Sequence, residues 1–541
     1  MNNAIFNLEV PTNEPLLGYM EGSPERKALE QELKRQASTV IDIPIIINGR
    51  EVRTGKTKRV VMPCDHGHVL ATYHEAGPEE TSKAIDAALA AKESWMTLSW
   101  IERAAICNKA AELMTTKYRP LLSAATMLGQ AKNIYQAEID GIGETADFLR
   151  FNSYFISKIY GEQPFSTPQQ MNRTEYRPLE GFVFTVSPFN FTAIGSNLNM
   201  APALMGNTTV WKPASTSVLS NYYLMKIFEE AGLPDGVVNF LPGSGATIGN
   251  VALSSRDLAG VHFTGSNGTF NWIWKKVSEQ LETYKTYPKL IGETGGKDFI
   301  FVHASADPDQ VVTAMVRGSF EYQGQKCSAS SRAYVPRSLW PEIREKLVTM
   351  LSRVKVGDVR DFDAFVNAVI DESSYNRIMD YIGKAKASSS ARIIAGGTGD
   401  KSKGYFIQPT VIEVGDPHFI TMEEEIFGPV LTVYVYEDRS YLETLALCDR
   451  TSPYALTGAI FARDRKALVK ACQVLRYAAG NFYYNDKPTG AMVGMQPFGG
   501  ARGSGTNDKA GGVMNLLRWT SPRTIKENFL PPTDFPYPYM K

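Results

Sequence analysis

Apolar residues recur along this chain with two different periods, and the change from one to the other divides it. Residues 23–35 open on Ser23-Pro24-Glu25, a cap followed by charged helical spacing, and predict a helix. Residues 43–52 alternate around Asn48-Gly49 and predict a hairpin, and from Pro78 the spacing is helical again. From Gly181 the texture turns to short β-rich runs at 182–186, 208–211, 237–241, 260–263 and 290–291, separated by amphipathic stretches such as 221–231 and 270–279. Strands recur about every 25 residues, the beat of βαβ units, which predicts a mostly parallel sheet with helices on both faces. A second α/β segment begins near 297–303 and runs to about Asp486. The stretch 156–179 combines polar alternation with prolines and reads as a protruding hairpin. The Gly- and Pro-rich tail, 498–541, reads as a segment lying along a surface or a neighbouring subunit.

Length and charge narrow the picture. At 541 residues the chain exceeds the ~250–300 at which single cores stop growing, so two or three domains are expected. With 57 basic and 57 acidic residues, well mixed, nothing points to nucleic acid or an anionic membrane surface. No apolar run approaches the ~18 residues of a membrane-spanning helix. Five cysteines, an odd number without CxxC spacing, argue against a disulfide framework or a zinc site and for a reducing compartment. Residues 1–19 carry Glu9 and Glu14, neither Lys nor Arg, and no apolar core, so they read as mature protein. The expected location is the cytoplasm, with the mitochondrial matrix as the alternative for a processed form.

Several residues could carry chemistry. Gly324-Gln325-Lys326-Cys327-Ser328 sets a cysteine beside a cation, between a helix-like stretch at 308–322 and a β run at 331–335; Lys326 is expected to favour the thiolate, the nucleophilic form. A buried structural cysteine is the plainer reading. Glu293 ends a strand and precedes Gly295-Gly296, where a general base or an ordinary turn carboxylate would both fit. Asn190, in Ser187-Pro188-Phe189-Asn190-Phe191, follows the first strand of the βαβ series and could donate to an oxyanion or cap the next helix. The glycine turns at 242–249 and 263–266, the second containing Gly265 and Ser266, suit a phosphate at a helix amino terminus, although GxGxxxG is not the dinucleotide fingerprint. Lys212 stands at another strand end, within reach of a ribose or phosphate. A cysteine hydrolase would need a histidine base with an orienting acid, which none of the six histidines suggests. His66-Gly67-His68 offers too few ligands for a metal, and none is expected.

Taken in order, SPFNF, WKPA, FTGS, ETGGK, GQKCSASSR, EEIFGPV and PFGG resemble the aldehyde dehydrogenase superfamily across nearly the whole chain. GQKCSASSR, TMLGQ…AEIDG at 126–141 and ARGSGTNDKAGG at 501–512 resemble the branch that oxidises glutamate semialdehyde. The resemblance implies an α/β fold with a Rossmann-like NAD-binding domain (1–155 and 180–293), an α/β catalytic domain (294–490), and an oligomerisation hairpin and tail (156–179 and 491–541). It implies that Cys327 attacks the aldehyde, that Asn190 and the Cys327 N–H hold the oxyanion, and that Glu293 activates the water that hydrolyses the thioester. Ser187, Lys212, Gly265 and Ser266 would hold the adenosine ribose and pyrophosphate, and Glu425 and Phe427 the nicotinamide ribose. Ser328 and the Gly490-Ala491 turn would bind the substrate carboxylate, Phe191 and Phe498 would enclose its chain, and Glu144 would lie near the mouth. NAD is the implied cofactor. Ser215 replaces a glutamate that repels a 2′-phosphate in many relatives, which leaves NADP as the weaker alternative. The implied partners are a small-molecule substrate and further copies of the chain.

Overall fold

A computed structural model describes residues 8–540. The expectation of a mature amino terminus rests partly on residues 1–7 and to that extent lies outside the described residues. Among the described residues no helix is long and apolar enough to cross a membrane.

The βαβ beat becomes a seven-stranded sheet ordered Lys289–Glu293, Leu258–Thr264, Phe182–Val186, Thr209–Lys212, Val238–Phe240, Ile45–Ile47, Arg50–Val52. The first five strands are parallel. The expected hairpin at 43–52 forms and closes the edge, antiparallel. These strands read as continuous apolar runs because helices cover both faces, and Leu258–Thr264 is buried throughout. Phe182–Val186 and Leu258–Thr264 are neighbours although two strands separate them in sequence, which makes their carboxyl ends a topological switch point where α/β sheets gather ligands.

The second segment forms another seven-stranded sheet: Ala391–Ala395, Thr410–Val414, Val430–Tyr436, Ser330–Pro336, Asp298–Val302, Thr457–Phe461, Asn481–Tyr484. It is parallel except for the first strand. Cys327 precedes Ser330–Pro336 and therefore lies at the amino edge of this sheet, against the carboxyl edge of the first.

Two expectations change, and a pair of strands appears that the apolar spacing does not predict. Strands Thr57–Met62 and Asp65–His74 precede the helix Pro78–Thr97 and pair antiparallel with each other. Residues 156–179 are not a self-contained hairpin: the helix Thr145–Gly161 runs into them, burying Ile156 and Ile159, and the strand Gln170–Pro178 pairs along its whole length with Thr520–Asn528. The tail is surface-bound only at its end, because Ser504, Leu516 and Trp519 are wholly buried and 501–512 packs against the site.

Candidate active site

Strain and long-range bonds deliver Cys327. After the helix Pro308–Phe320 the backbone enters the left-handed region at Tyr322 (φ 51°) and Gln323 (φ 55°), a conformation costing of order 1–3 kcal/mol per residue unless the surroundings hold it. Gln323 supplies the hold: its Nε2 donates to Ala131 O (2.9 Å) and Ala368 O (2.8 Å), and its Oε1 accepts from Asn367 N (2.9 Å). Gln325 Oε1 accepts from Ile370 N at 2.9 Å. The loop turns Cys327 into a cavity of about 680 Å³.

Glu293, the last residue of its strand, faces the thiol, with Cys327 Sγ donating to its Oε1 at 3.8 Å. The tail braces that strand: Thr506 N donates to Gly292 O and Thr294 N to Ser504 O, both at 2.9 Å. Burial pushes the Glu293 carboxyl up to about 8, against the hydrogen bond from Cys327 and the charge of Lys509. Burial, then the nearby carboxylates of Glu293, Asp298, Glu425 and Glu144, hold the thiol well above its ordinary value. Lys326 does not provide the expected activation, because its ammonium turns to Glu321 at 3.1 Å. The group placed to take the thiol proton is Glu293.

Asn190 is buried and donates through Nδ2 to Gln325 O at 3.0 Å, beside the cysteine loop, so it does not cap the helix Thr192–Leu204. That helix is capped by Asp140, whose carboxylate accepts from Thr192 N (2.9 Å) and Ala193 N (2.8 Å). Asp140 pairs with Lys132 at 2.7 Å, both buried, and Lys132 Nζ lies over the rings of Phe191 (4.1 Å) and Tyr322 (4.5 Å). Asp140 and Glu144 share a π-helical turn, Glu138–Glu144, a form common at functional sites. Phe191, Ser328, Gly490, Ala491, Phe498 and Glu144 all line the cavity. Ser328 Oγ lies 2.8 Å from Thr489 Oγ1, and burial, then the charge of Asp140, raises the Glu144 carboxyl.

At the carboxyl edge of the first sheet, the helices Gly245–Ser254 and Asn267–Glu279 begin at Ser244 and Ser266, and Lys212 ends its strand beside Gly245. Burial lowers the Lys212 ammonium to about 8. Two helix amino termini and an ammonium suit a pyrophosphate. Glu425 Oε1 accepts from Gly296 N at 3.0 Å, and a Cβ at Gly295 would collide with its carboxylate. Phe427 has φ 57°, and its ring meets Phe189 edge-on at 5.8 Å. Ser187 is the exception: its side chain is buried and its hydroxyl accepts from the Trp211 indole at 2.9 Å, so it supports the groove from beneath. These groups fit a dinucleotide.

The Aldehyde dehydrogenase family model matches residues 51–525. The chain belongs to the aldehyde dehydrogenase family. Within the family it is 54% identical over 537 residues to the mitochondrial delta-1-pyrroline-5-carboxylate dehydrogenase of Dictyostelium discoideum, covering 99% of this chain and 96% of that protein. Identity to the human mitochondrial enzyme of that name is 50% over 530 residues, 98% of this chain and 94% of that one. The delta-pyrroline-5-carboxylate dehydrogenase of Mycobacterium tuberculosis, solved with NAD bound, superposes with a TM-score of 0.96 at 48% identity over 100% of both chains. The branch read from 126–141, 324–332 and 501–512 agrees with these relatives. For this aldehyde dehydrogenase, motif reading missed Lys132, Asp140 and Gln323, which also meet residues far along the chain. His66 stacks on Tyr405 and bonds to Lys401 O, away from the cavity.

Proposed function

We propose that this chain oxidises L-glutamate 5-semialdehyde, the open form of 1-pyrroline-5-carboxylate, to L-glutamate with reduction of NAD, the second step of proline degradation, through a thioester on Cys327. The observation that carries the reading is the contact of Cys327 Sγ with Glu293 Oε1, 3.8 Å, in a cavity that also presents Ser328, Gly490 and Ala491.

The thiol passes its proton to Glu293, and the thiolate attacks the aldehyde carbon. The resulting oxyanion takes hydrogen bonds from the Asn190 amide and the Cys327 N–H, a kind of stabilisation worth ~2.7–4 kcal/mol per donor. Bound NAD supplies the hydride acceptor, and collapse of the oxyanion leaves the acyl group on sulfur. Glu293 returns its proton to solvent, takes one from water as that water attacks the thioester, and the thiolate departs. Lys212, Gly265 and Ser266 hold the dinucleotide phosphates, Ser187 supports them from beneath, and Glu425 and Phe427 orient the nicotinamide ribose. Ser328 and the Gly490-Ala491 turn bind the carboxylate, Phe191 and Phe498 wall the methylenes, and Glu144 stands near the mouth.

The molecule works as a homo-oligomer: the ribbon of Gln170–Pro178 and Thr520–Asn528 is largely exposed, as are Phe529, Phe535, Tyr537 and Tyr539 beyond it. A reducing compartment suits its five free cysteines, the cytoplasm or, since the Dictyostelium and human relatives are named mitochondrial, the matrix of that organelle. The test is NADH formation with 1-pyrroline-5-carboxylate against succinate semialdehyde and propanal, repeated with NADP because Ser215 carries no repelling charge. Preference for the first substrate supports the reading. Activity confined to the other two overturns the substrate and keeps the family.

A further inference from the structure

Among the cations lining the cavity, Lys487 makes no ion pair with a carboxylate of the described residues and bonds to a backbone carbonyl. Beyond the strand Asn481–Tyr484 the chain passes through Lys487 into Thr489-Gly490-Ala491, which forms one wall. Lys487 Nζ turns back to donate to Thr489 O at 2.8 Å, and Thr489 Oγ1 lies 2.8 Å from Ser328 Oγ. The ammonium is pressed against Gly490: at its φ of 100° a Cβ there would lie 2.7 Å from Nζ. Lys326 nearby is neutralised by Glu321 at 3.1 Å, whereas Lys487 has a backbone carbonyl in place of a carboxylate. An ammonium carries three donors, so two remain beyond the bond to Thr489. Burial holds the Lys487 ammonium below its ordinary value, offset in part by the charges of Glu321 and Asp486, and an anion reaching the two free donors would favour the charged form further.

We propose that Lys487 is the counter-ion of the substrate carboxylate, donating to it alongside the Ser328 hydroxyl and the Gly490 and Ala491 N–H groups, and that its charge selects aldehydes that end in a carboxylate. The inference rests on the substrate reading given above and adds the source of its selectivity. Hydroxyl and backbone donors also bond to neutral polar groups, while a positive charge at hydrogen-bond range adds a further preference for an anion.

The test is steady-state kinetics of the full-length enzyme and its Lys487→Met, Lys487→Gln and Lys487→Arg variants, with glutamate semialdehyde and with butanal. We expect the ratio of kcat/KM for glutamate semialdehyde over butanal to fall about tenfold or more in the Met and Gln variants, mainly through KM, the loss typical of one charge-assisted hydrogen bond. The Arg variant keeps most of the ratio. Proportionate losses on both aldehydes, or an unchanged ratio, would overturn the proposal by reducing Lys487 to a scaffold for the turn. Two neutral replacements of different polarity guard against a fold defect in one. A wild-type enzyme without preference for glutamate semialdehyde would refute the substrate reading itself, a result visible before any variant is made.

Discussion

At Glu293, burial acts on proton affinity and on stability together. Its carboxyl is raised from 4.5 to about 8 by burial, so the folded protein binds that proton more tightly than the unfolded chain does. The sign follows: the stabilisation is complete below the unfolded value and is lost as pH rises through about 8. Glu293→Gln should therefore unfold at a higher temperature than wild type at pH ~9 and at a similar one near pH ~4, read by calorimetry. The same residue acts as base only when ionised, so kcat should climb towards a plateau above the raised pKa. Glu293→Gln should lower kcat by ~10²–10⁴ and retain a full, slower burst of NADH, because acylation outlives the loss of the deacylating base. Burst rate and turnover falling in equal proportion would refute the deacylation role, because the loss would then lie wholly in acylation. Cys327→Ser should bind NAD and lose turnover by roughly 10⁴-fold or more, checked by dinucleotide titration beside the activity assay. That Cys327, Glu293 and Asn190 come together was legible because each sits in a local motif. The influence of Lys326 was not, since sequence adjacency to Cys327 says nothing about which way its side chain turns.

Elements explain how those residues stay in place. The loop at 187–191 is fixed from behind by Lys132 and Asp140, a wholly buried pair that also joins the Phe191 and Tyr322 rings. Removing one partner of such a pair leaves a charge in a dry interior. Lys132→Met should therefore destabilise the fold by about 3–5 kcal/mol and raise KM for glutamate semialdehyde, while adding Asp140→Asn should recover part of the stability, measured by urea unfolding. The parallel strands were readable because burial on both faces writes them as apolar runs. Thr57–Met62 and Asp65–His74 escaped because Lys58, Arg59 and His66 interrupt any such run, and they pair with each other and with the short strand Ile41–Ile43. The ribbon escaped for a stronger reason: Gln170 pairs with Asn528, and no local pattern announces a partner so distant in the chain.

Over the whole molecule, two seven-stranded sheets meet with the carboxyl edge of one against the amino edge of the other, and the chemistry lies along that seam. The tail serves both the site and the ribbon, since 501–512 braces the Glu293 strand and Thr520–Asn528 completes the exposed ribbon. If the ribbon carries the proposed homo-oligomer, ending the chain after Trp519 should leave Gln170–Pro178 unpaired and give smaller species in light scattering, with activity lost less than assembly; an unchanged mass would contradict that role for the ribbon. The most direct test of the central claim joins the seam to the chemistry. Glu293→Gln enzyme is mixed with NAD and 1-pyrroline-5-carboxylate, quenched in acid during the burst, digested and read by peptide mass spectrometry. A glutamyl group on the peptide containing Cys327, in proportion to the NADH formed, is the result predicted here. NADH formed with Cys327 unmodified, or an acyl group on another residue, would contradict it.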